Sequence, residues 1–204
     1  MRSAHIQGNW AGRDGRSKAR IRRYVRSIPN REREVALTRP DQVWVGDVTY
    51  LKVRGQWRYR AVVMDKYSRR ILGWSLDRVR DVTLTRATLF HALRKRDPSP
   101  GLVFHSDRGM EYGAPGYREI MKRRRFVQSM NQPCRMNDNA HMESFFPTMK
   151  AEYIHGKTFD TEADLRRTLK TYFAFYNYDR IHTAAGRTSP ARFESIGANC
   201  SGVN

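Results

Sequence analysis

HSDRGMEYGAPGYREIMKRRRFVQSMNQPCRMNDNAHMESFFPTMK, residues 105–150, is the stretch whose reading decides the fold. It opens with Asp107, where an apolar run, Gly101-Leu102-Val103-Phe104, gives way to Gly109. It closes with Glu143, just after Asp138-Asn139, both good residues for starting a helix. Thirty-five residues separate the two carboxylates. Upstream, Asp47 lies inside a second apolar stretch, VWVGDVTYL, residues 43–51. Three acids in a chain crowded with arginine form a set that a hard divalent cation would hold together. Mg²⁺ prefers oxygen donors, usually takes one or two carboxylates, and shares its other positions with water and phosphate. That donor set suits a nuclease or a strand-transfer site.

Composition points the same way. The 204 residues suffice for one sizeable core with a small appendage. Lys and Arg number 39 against 20 Asp and Glu, a formal charge of +19. Such an excess argues for a polyanionic partner, nucleic acid first, with an acidic membrane surface or ribosomal RNA as the alternative. No apolar run reaches the roughly 18 residues a membrane-spanning helix needs. The N-terminus lacks the apolar centre of a signal peptide. The two cysteines, Cys134 and Cys200, exclude a Cys₄ zinc site and a disulfide framework. A reducing cytoplasm is the simplest location.

Residues 1–39 read as a basic N-terminal arm. Residues 1 to 40 carry eleven Arg or Lys and three acids. Ile21, Val25 and Ile28 recur at helical spacing, predicting a short amphipathic helix over 18–28 that Pro29-Asn30 stops. The arm either meets phosphates without reading bases or is a disordered solubilising tail. After Pro40 the pattern becomes strand-like: residues 43–51, 56–64 and 71–76, joined by short connections that favour an antiparallel meander. A helix follows over 82–95, with Leu84, Ala87, Thr88, Phe90 (or His91) and Leu93 as its apolar stripe. Next come a strand at 102–104, a helix at 115–124 burying Tyr117, Ile120 and Met121, and a strand at 126–130. Glu143 and Lys150, seven apart, share a helix face, which places the lysine to touch a phosphate backbone. Thr161-Glu162-Ala163-Asp164 resembles a capping box ahead of a helix burying Leu165, Leu169, Tyr172, Phe173 and Tyr176, and a short last turn sits at 191–193. Antiparallel strands followed by alternating strand and helix describe an α/β domain with a mixed sheet.

The segments WVGDVTY, VVMDKYSRRILGW, HSDRG, DNAHMESFF with Lys150, and YNYDRIHTAAGRTSPARF together resemble the integrase-core transposases of bacterial insertion sequences. The similarity is greatest to the IS-three family, whose catalytic protein comes from the second of two overlapping frames. It covers roughly residues 40 to 195. Retroviral integrase cores share the acid triad more distantly. The resemblance implies a ribonuclease-H-like fold: a mixed five-stranded sheet flanked by helices, with a C-terminal helical extension and a tail from 196 to 204. It also implies that Asp47, on the first strand, Asp107, at the end of the neighbouring fourth, and Glu143, on the helix crossing above, are catalytic acids holding two Mg²⁺ ions, with Mn²⁺ as a substitute. The expected reaction is nicking at an element end, then transfer of the new 3′-hydroxyl to another phosphodiester.

Lys150, Asn139 and Arg108, with Arg22 and Arg23 of the arm, are the expected nucleic-acid contacts. The expected partners are insertion-sequence ends and target DNA, further copies of the chain assembled on DNA, and a first-reading-frame protein. No membrane is involved. Asp65 matches a family position outside the triad and reads as a turn residue; His105 reads as a packed histidine; Arg180 and His182 read as bracing the core more than positioning DNA. The chain departs from the family pattern at Pro147, four residues after Glu143, where proline removes a helix hydrogen bond. Either the helix kinks at Glu143 or its regular part begins near Ser144. His141 replaces a frequent proline. A helix-turn-helix region ahead of the core is absent or reduced to the basic arm, so a partner would help to recognise element ends. A ribonuclease-H-like nuclease or resolvase, and a catalytically silent DNA-binding descendant, are the alternative functions.

Overall fold

A computed structural model of the chain describes residues 10–132, 139–183 and 186–200. A five-stranded mixed sheet divides two layers of helices. Its strands are β1 (Val43–Val53), β2 (Gln56–Asp65), β3 (Ile71–Asp77), β4 (Val103–Ser106) and β5 (Val127–Met130), in spatial order β3-β2-β1-β4-β5. The helices are α1 (Trp10–Ser27), α2 (Val82–Lys95), α3 (Met110–Gly113), α4 (Pro115–Arg123), α5 (Ala140–Met149), α6 (Glu162–Tyr178) and α7 (Pro190–Cys200). A 3-10 turn (Glu32–Glu34) precedes β1, and a π-helical turn (Lys150–Ile154) continues α5.

The pattern of β1 explains its place. Val43, Trp44, Val45 and Gly46 are all buried, the mark of a central strand covered on both faces. Beyond Val48 burial alternates: Thr49, Leu51 and Val53 inward, Tyr50 and Lys52 outward. There the β1–β2 hairpin runs on with one face open. Arg54 and Gly55 turn it with φ of 47° and 76°, the paired left-handed conformations of a type I′ turn. On the open face the Tyr50 and Trp57 rings meet edge to face at 4.9 Å. β2 pairs with β3 antiparallel, so the expected meander is present. β4 then joins β1 in parallel, Val43 opposite Val103 through Gly46 opposite Ser106, and β5 joins β4 in parallel.

One face of the sheet packs against α5 and α6 through Val45, Met64, Met142, Phe145, Leu169 and Tyr172, among others. The stripe expected on α6, from Leu165 to Tyr176, is buried. Thr161 Oγ1 caps α6 by accepting from Asp164 N at 3.1 Å. The other face packs against α1 to α4 through Trp44, Leu72, Leu89, Phe104, Tyr117 and Phe126. α2 lies so close to β3 that a Cβ on Gly73 would stand 2.3 Å from Thr88 O. That approach sets the buried face of α2 as Leu84, Thr85, Thr88, Leu89 and Ala92, and Phe90 turns outward at 45% exposure. The expected stripe is therefore rotated. Thr88 Oγ1 donates to Leu84 O at 2.9 Å, which satisfies a hydroxyl within the core.

The basic arm has more structure than expected. α1 starts eight residues before Lys18 and rests on the core. Val25 is buried, a Cβ on Gly113 would meet Val25 Cγ1 at 2.3 Å, and Tyr24 OH donates to Gln128 Oε1 at 2.6 Å. The following turn is locked as well: Glu32, buried, pairs with Lys66, and the Arg31 and Glu32 amides donate to Ser129 Oγ at 2.9 and 3.1 Å. At the other end, α7 extends to Cys200, past the 196 boundary expected for a tail. Glu194 on α7 pairs with Arg70 and Arg96, tying that helix to the sheet.

Candidate active site

Parallel pairing of β1 with β4 builds the site. Gly46 lies opposite Ser106, so the next residues along the two strands are Asp47 and Asp107. Both sit at the C-terminal end of β4, where open α/β sheets bind ligands. Gly46 permits the close strand packing: a Cβ there would stand 2.6 Å from the Phe104 ring. The turn after β4 orients Asp107 through Gly109 N, which donates to Asp107 Oδ1 at 3.0 Å. A Cβ on Gly109 would fall 2.7 Å from Glu111 Oε1 and 2.9 Å from Asp107 Oδ1, so the turn leaves no room there for a side chain.

Burial, and then the neighbouring charge of Asp107, push the Asp47 carboxyl from 3.8 up to about 7; the Val48 amide and Arg80 oppose that rise. Arg80 reaches over from the loop before α2 and spans two acids, with Nη2 3.2 Å from Asp107 Oδ2 and Nε 2.7 Å from Glu111 Oε1. Burial works to lower the Arg80 pKa, but the Glu111 and Asp107 carboxylates outweigh it and the net shift is upward. Neither Arg80 nor Glu111 was expected at the site. Glu111 sits four residues after Asp107 in HSDRGMEY and is visible as an acid there; nothing in the sequence places Arg80 beside them.

Glu143 is brought to the first turn of α5, where a carboxylate suits the helix dipole. It is exposed and makes no hydrogen bond or ion pair among the described residues. The charges that shift Asp47 most are those of Asp107, Arg80 and Glu111. Among the described residues no three His, Cys, Asp or Glu side chains are grouped as a ready metal centre. The sheet thus brings two of the three expected acids together, and the third stands on a separate helix.

α5 begins at Ala140 and runs through Pro147 as α-helix, so its regular part does not wait for Ser144. The winding changes at Lys150, into the π-helical turn. Asn139 occupies the N-cap position but makes no capping bond; its amide is buried. Asp138 lies outside the described residues. Lys150 lies over the Tyr50 ring at 4.8 Å, and burial, then Arg60, lower its pKa. Arg108 is engaged by backbone: its guanidinium donates to Asn131 O at 2.7 Å, to Ile28 O at 3.0 Å and to Val25 O. Any contact from Arg108 to DNA would have to break those bonds. Arg22 and Arg23 are exposed on α1.

His105 is fully buried, bonded to Ser129 Oγ at 2.9 Å and Asn131 Oδ1 at 2.7 Å, as a packed histidine would be. Asp65 closes the β2–β3 turn, accepting from Ser68 N at 2.8 Å and Asp41 N at 2.7 Å. Arg60 is a charge the sequence does not flag as buried. It has no exposure, lies against the rings of Phe145, Phe146 and Phe173, and donates to Met149 Sδ. Burial lowers its pKa to about 9.

Two models of the integrase core domain match residues 38–135 and 124–190. The chain is 35% identical over 158 residues to the transposase for insertion sequence element IS904 of Lactococcus lactis, covering 77% of this chain and 62% of that protein. It is 36% identical over 165 residues to the transposase InsF for insertion sequence IS3A of Escherichia coli, covering 80% of this chain and 57% of that one. The chain thus spans about 57–62% of the length of these curated relatives. Its fold is that of the HTLV-2 integrase catalytic core domain solved in complex with magnesium, with TM-score 0.61, 13% identity, and 78% and 99% of the two chains covered. The BIV integrase catalytic core follows at TM-score 0.59 and 12% identity, with 79% and 98% covered. Among the described residues no helix is long and apolar enough to cross a membrane. A ribonuclease-H-like sheet with paired aspartates at the joint of β1 and β4, and transposases of insertion sequences as its relatives, identify the chain as a member of the integrase-core family.

Proposed function

We propose that this chain is the catalytic core of a DNA transposase that nicks insertion-sequence ends and joins the resulting 3′-hydroxyl to target DNA. The observation that carries the reading is the parallel register setting Asp47 beside Asp107 at the end of β4. Burial first, and then the repulsion between two carboxylates so placed, raise the Asp47 pKa. A divalent cation would relieve the repulsion, and two oxygen donors with room for phosphate and water are what Mg²⁺ takes. In this reading Asp47 and Asp107 hold the metal, and Glu143, unpartnered in the first turn of α5, is the third ligand. Two Mg²⁺ ions held there, or Mn²⁺ in their place, would supply neutralising charge for the oxygens of a phosphodiester exchange.

The protein's own groups prepare that step. Asp47, its carboxyl raised to about 7 by burial and then by Asp107, would give up its proton more readily once a cation is bound. Arg80 holds Asp107 and Glu111 in fixed directions, and the Gly109 amide fixes the Asp107 carboxylate. Several copies of the chain would assemble on DNA, with a first-reading-frame protein as a further partner.

A labelled, pre-nicked DNA end incubated with the protein and Mg²⁺ tests the reading. Joined products are expected, and Asp107→Asn should abolish them while duplex binding stays within about twofold, because the change removes one charge and no basic contact. Cleavage without joining would make the chain a nuclease. Joining that survives Asp107→Asn would remove the dyad from the chemistry.

A further inference from the structure

We propose that the groove between α1 and α4 is a second seat for duplex DNA, gripping the phosphate backbone without reading its sequence. The inference rests on the DNA-acting reading above and adds a place that the acidic site does not supply. The groove has a volume of about 940 Å³. Cations line it from both helices: Arg16 and Arg20, one turn apart on α1, and Arg118 and Lys122, one turn apart on α4. Arg31 adds a fifth at the groove wall. Among the described residues Glu119 is the one acid lining it, and its carboxylate is bonded to Arg123, which does not line the groove, at 2.8 Å. Like charges at this spacing oppose helix formation. Rows of them lining one groove gain from an anion laid in it.

The chemistry of the walls selects a backbone over a base. Tyr24 is the ring that could stack on a base, but Arg118 covers it at 3.8 Å and its hydroxyl is bonded to Gln128. Stacking platforms for single strands need an open aromatic face. A row of guanidinium and ammonium groups matches a regularly charged phosphate chain and carries no sequence information. The seat is also joined to the acidic site. Arg108, directly after Asp107 in the chain, binds the carbonyls of Val25 and Ile28 at the end of α1. Arg22 and Arg23, the arm residues expected to meet DNA, are not among the groove's lining residues.

The test compares two triple variants of the full chain with equal loss of charge. Arg16→Gln, Arg20→Gln and Lys122→Gln strip the groove; Arg22→Gln, Arg23→Gln and Arg26→Gln strip α1 elsewhere. Fluorescence anisotropy on a random-sequence duplex is recorded at several salt concentrations. The groove variant is expected to lose on the order of tenfold in affinity or more, and its log–log salt slope should fall by about 2.7, at roughly 0.9 per lost phosphate contact. The other variant should lose less than a third of that slope. Equal losses in both would mean that net charge alone holds DNA, and would overturn the proposal. So would tighter binding of a polyglutamate chain than of the duplex. Failure of the unaltered protein to bind any duplex would overturn the DNA-acting reading beneath it as well. Melting curves accompany each variant; if the groove triple unfolds early, Arg20→Gln and Lys122→Gln singly decide the matter, each expected to lower the slope by about 0.9.

Discussion

Replacing Asp47 by Asn should change how the stability of the metal-free protein depends on pH. The Asp47 carboxyl is raised from 3.8 to about 7, first by burial and then by the charge of Asp107. The folded state therefore holds a proton that the unfolded chain releases across this interval. The resulting stability is fully present below about pH 4 and is lost as pH rises through 7. At about 1.36 kcal/mol per pKa unit the full shift amounts to about 4 kcal/mol; the side chain is only partly buried, so solvent screening leaves roughly 2 kcal/mol. Urea unfolding with chelator present, at pH 5 and pH 8, measures it. Wild type should lose about 1 kcal/mol more than Asp47→Asn on going from pH 5 to pH 8, since part of the contribution is already gone at pH 5 and the amide cannot ionise. Groups remote from Asp47 titrate alike in both proteins, so their contributions cancel. Adding Mg²⁺ at pH 8 should restore the wild type and leave the variant nearly unmoved, because a ligand of the folded state alone stabilises by mass action. Parallel stability curves for the two proteins would refute the pairing of Asp47 with Asp107.

Gly73→Ala should cost about 2 kcal/mol or more, because its Cβ would press on backbone atoms, Thr88 O at 2.3 Å and Ala92 N at 2.7 Å, and neither can rotate aside; unchanged urea midpoints would show α2 free to shift. Arg60→Met should leave stability within about 1 kcal/mol of wild type or raise it, since a fully buried cation that makes no salt bridge among the described residues gives way to a side chain suited to the aromatic cage. A loss above about 3 kcal/mol would instead show that the three phenylalanine rings repay the burial. Pro147→Ala should raise the melting temperature, worth about 1–3 kcal/mol, by restoring a helix hydrogen bond to Glu143 O inside α5; a lower melting temperature would mean that the proline sets the course of α5.

The strands, α2 and α6 are legible in the sequence because their periodicity answers to local sterics and to one buried face. VWVGDVTYL reads as a strand since β-branched and aromatic residues pack on a pleated surface, and it is one. The extent of α1 is not legible: from Trp10 to Ser17 no apolar residue recurs at helical spacing, so only 18–28 carries a signal. The α2 stripe is misjudged by hydropathy, which sends Phe90 inward and Thr85 outward. The close approach of β3 at Gly73 admits threonines and leaves no space for a ring. At the site, Asp47 is readable as an acid inside an apolar run and Asp107 as one ending a run, and the resemblance makes them neighbours. Arg80, contacting Asp107 from 27 residues away, and Arg60, a charge without exposure, depend on tertiary packing that no local pattern encodes.

β4 is the fourth strand in the chain and yet borders the first. The hairpins from Val43 to Asp77 pair neighbours in sequence and need only short loops to close, whereas docking β4 on β1 requires the intervening helix to be in place. A chain emerging from the ribosome would thus carry Asp47 on a finished meander well before Asp107 exists to oppose it. The repulsion between the two aspartates would therefore fall on the last steps of assembly, once the rest of the sheet is already in place to bear it.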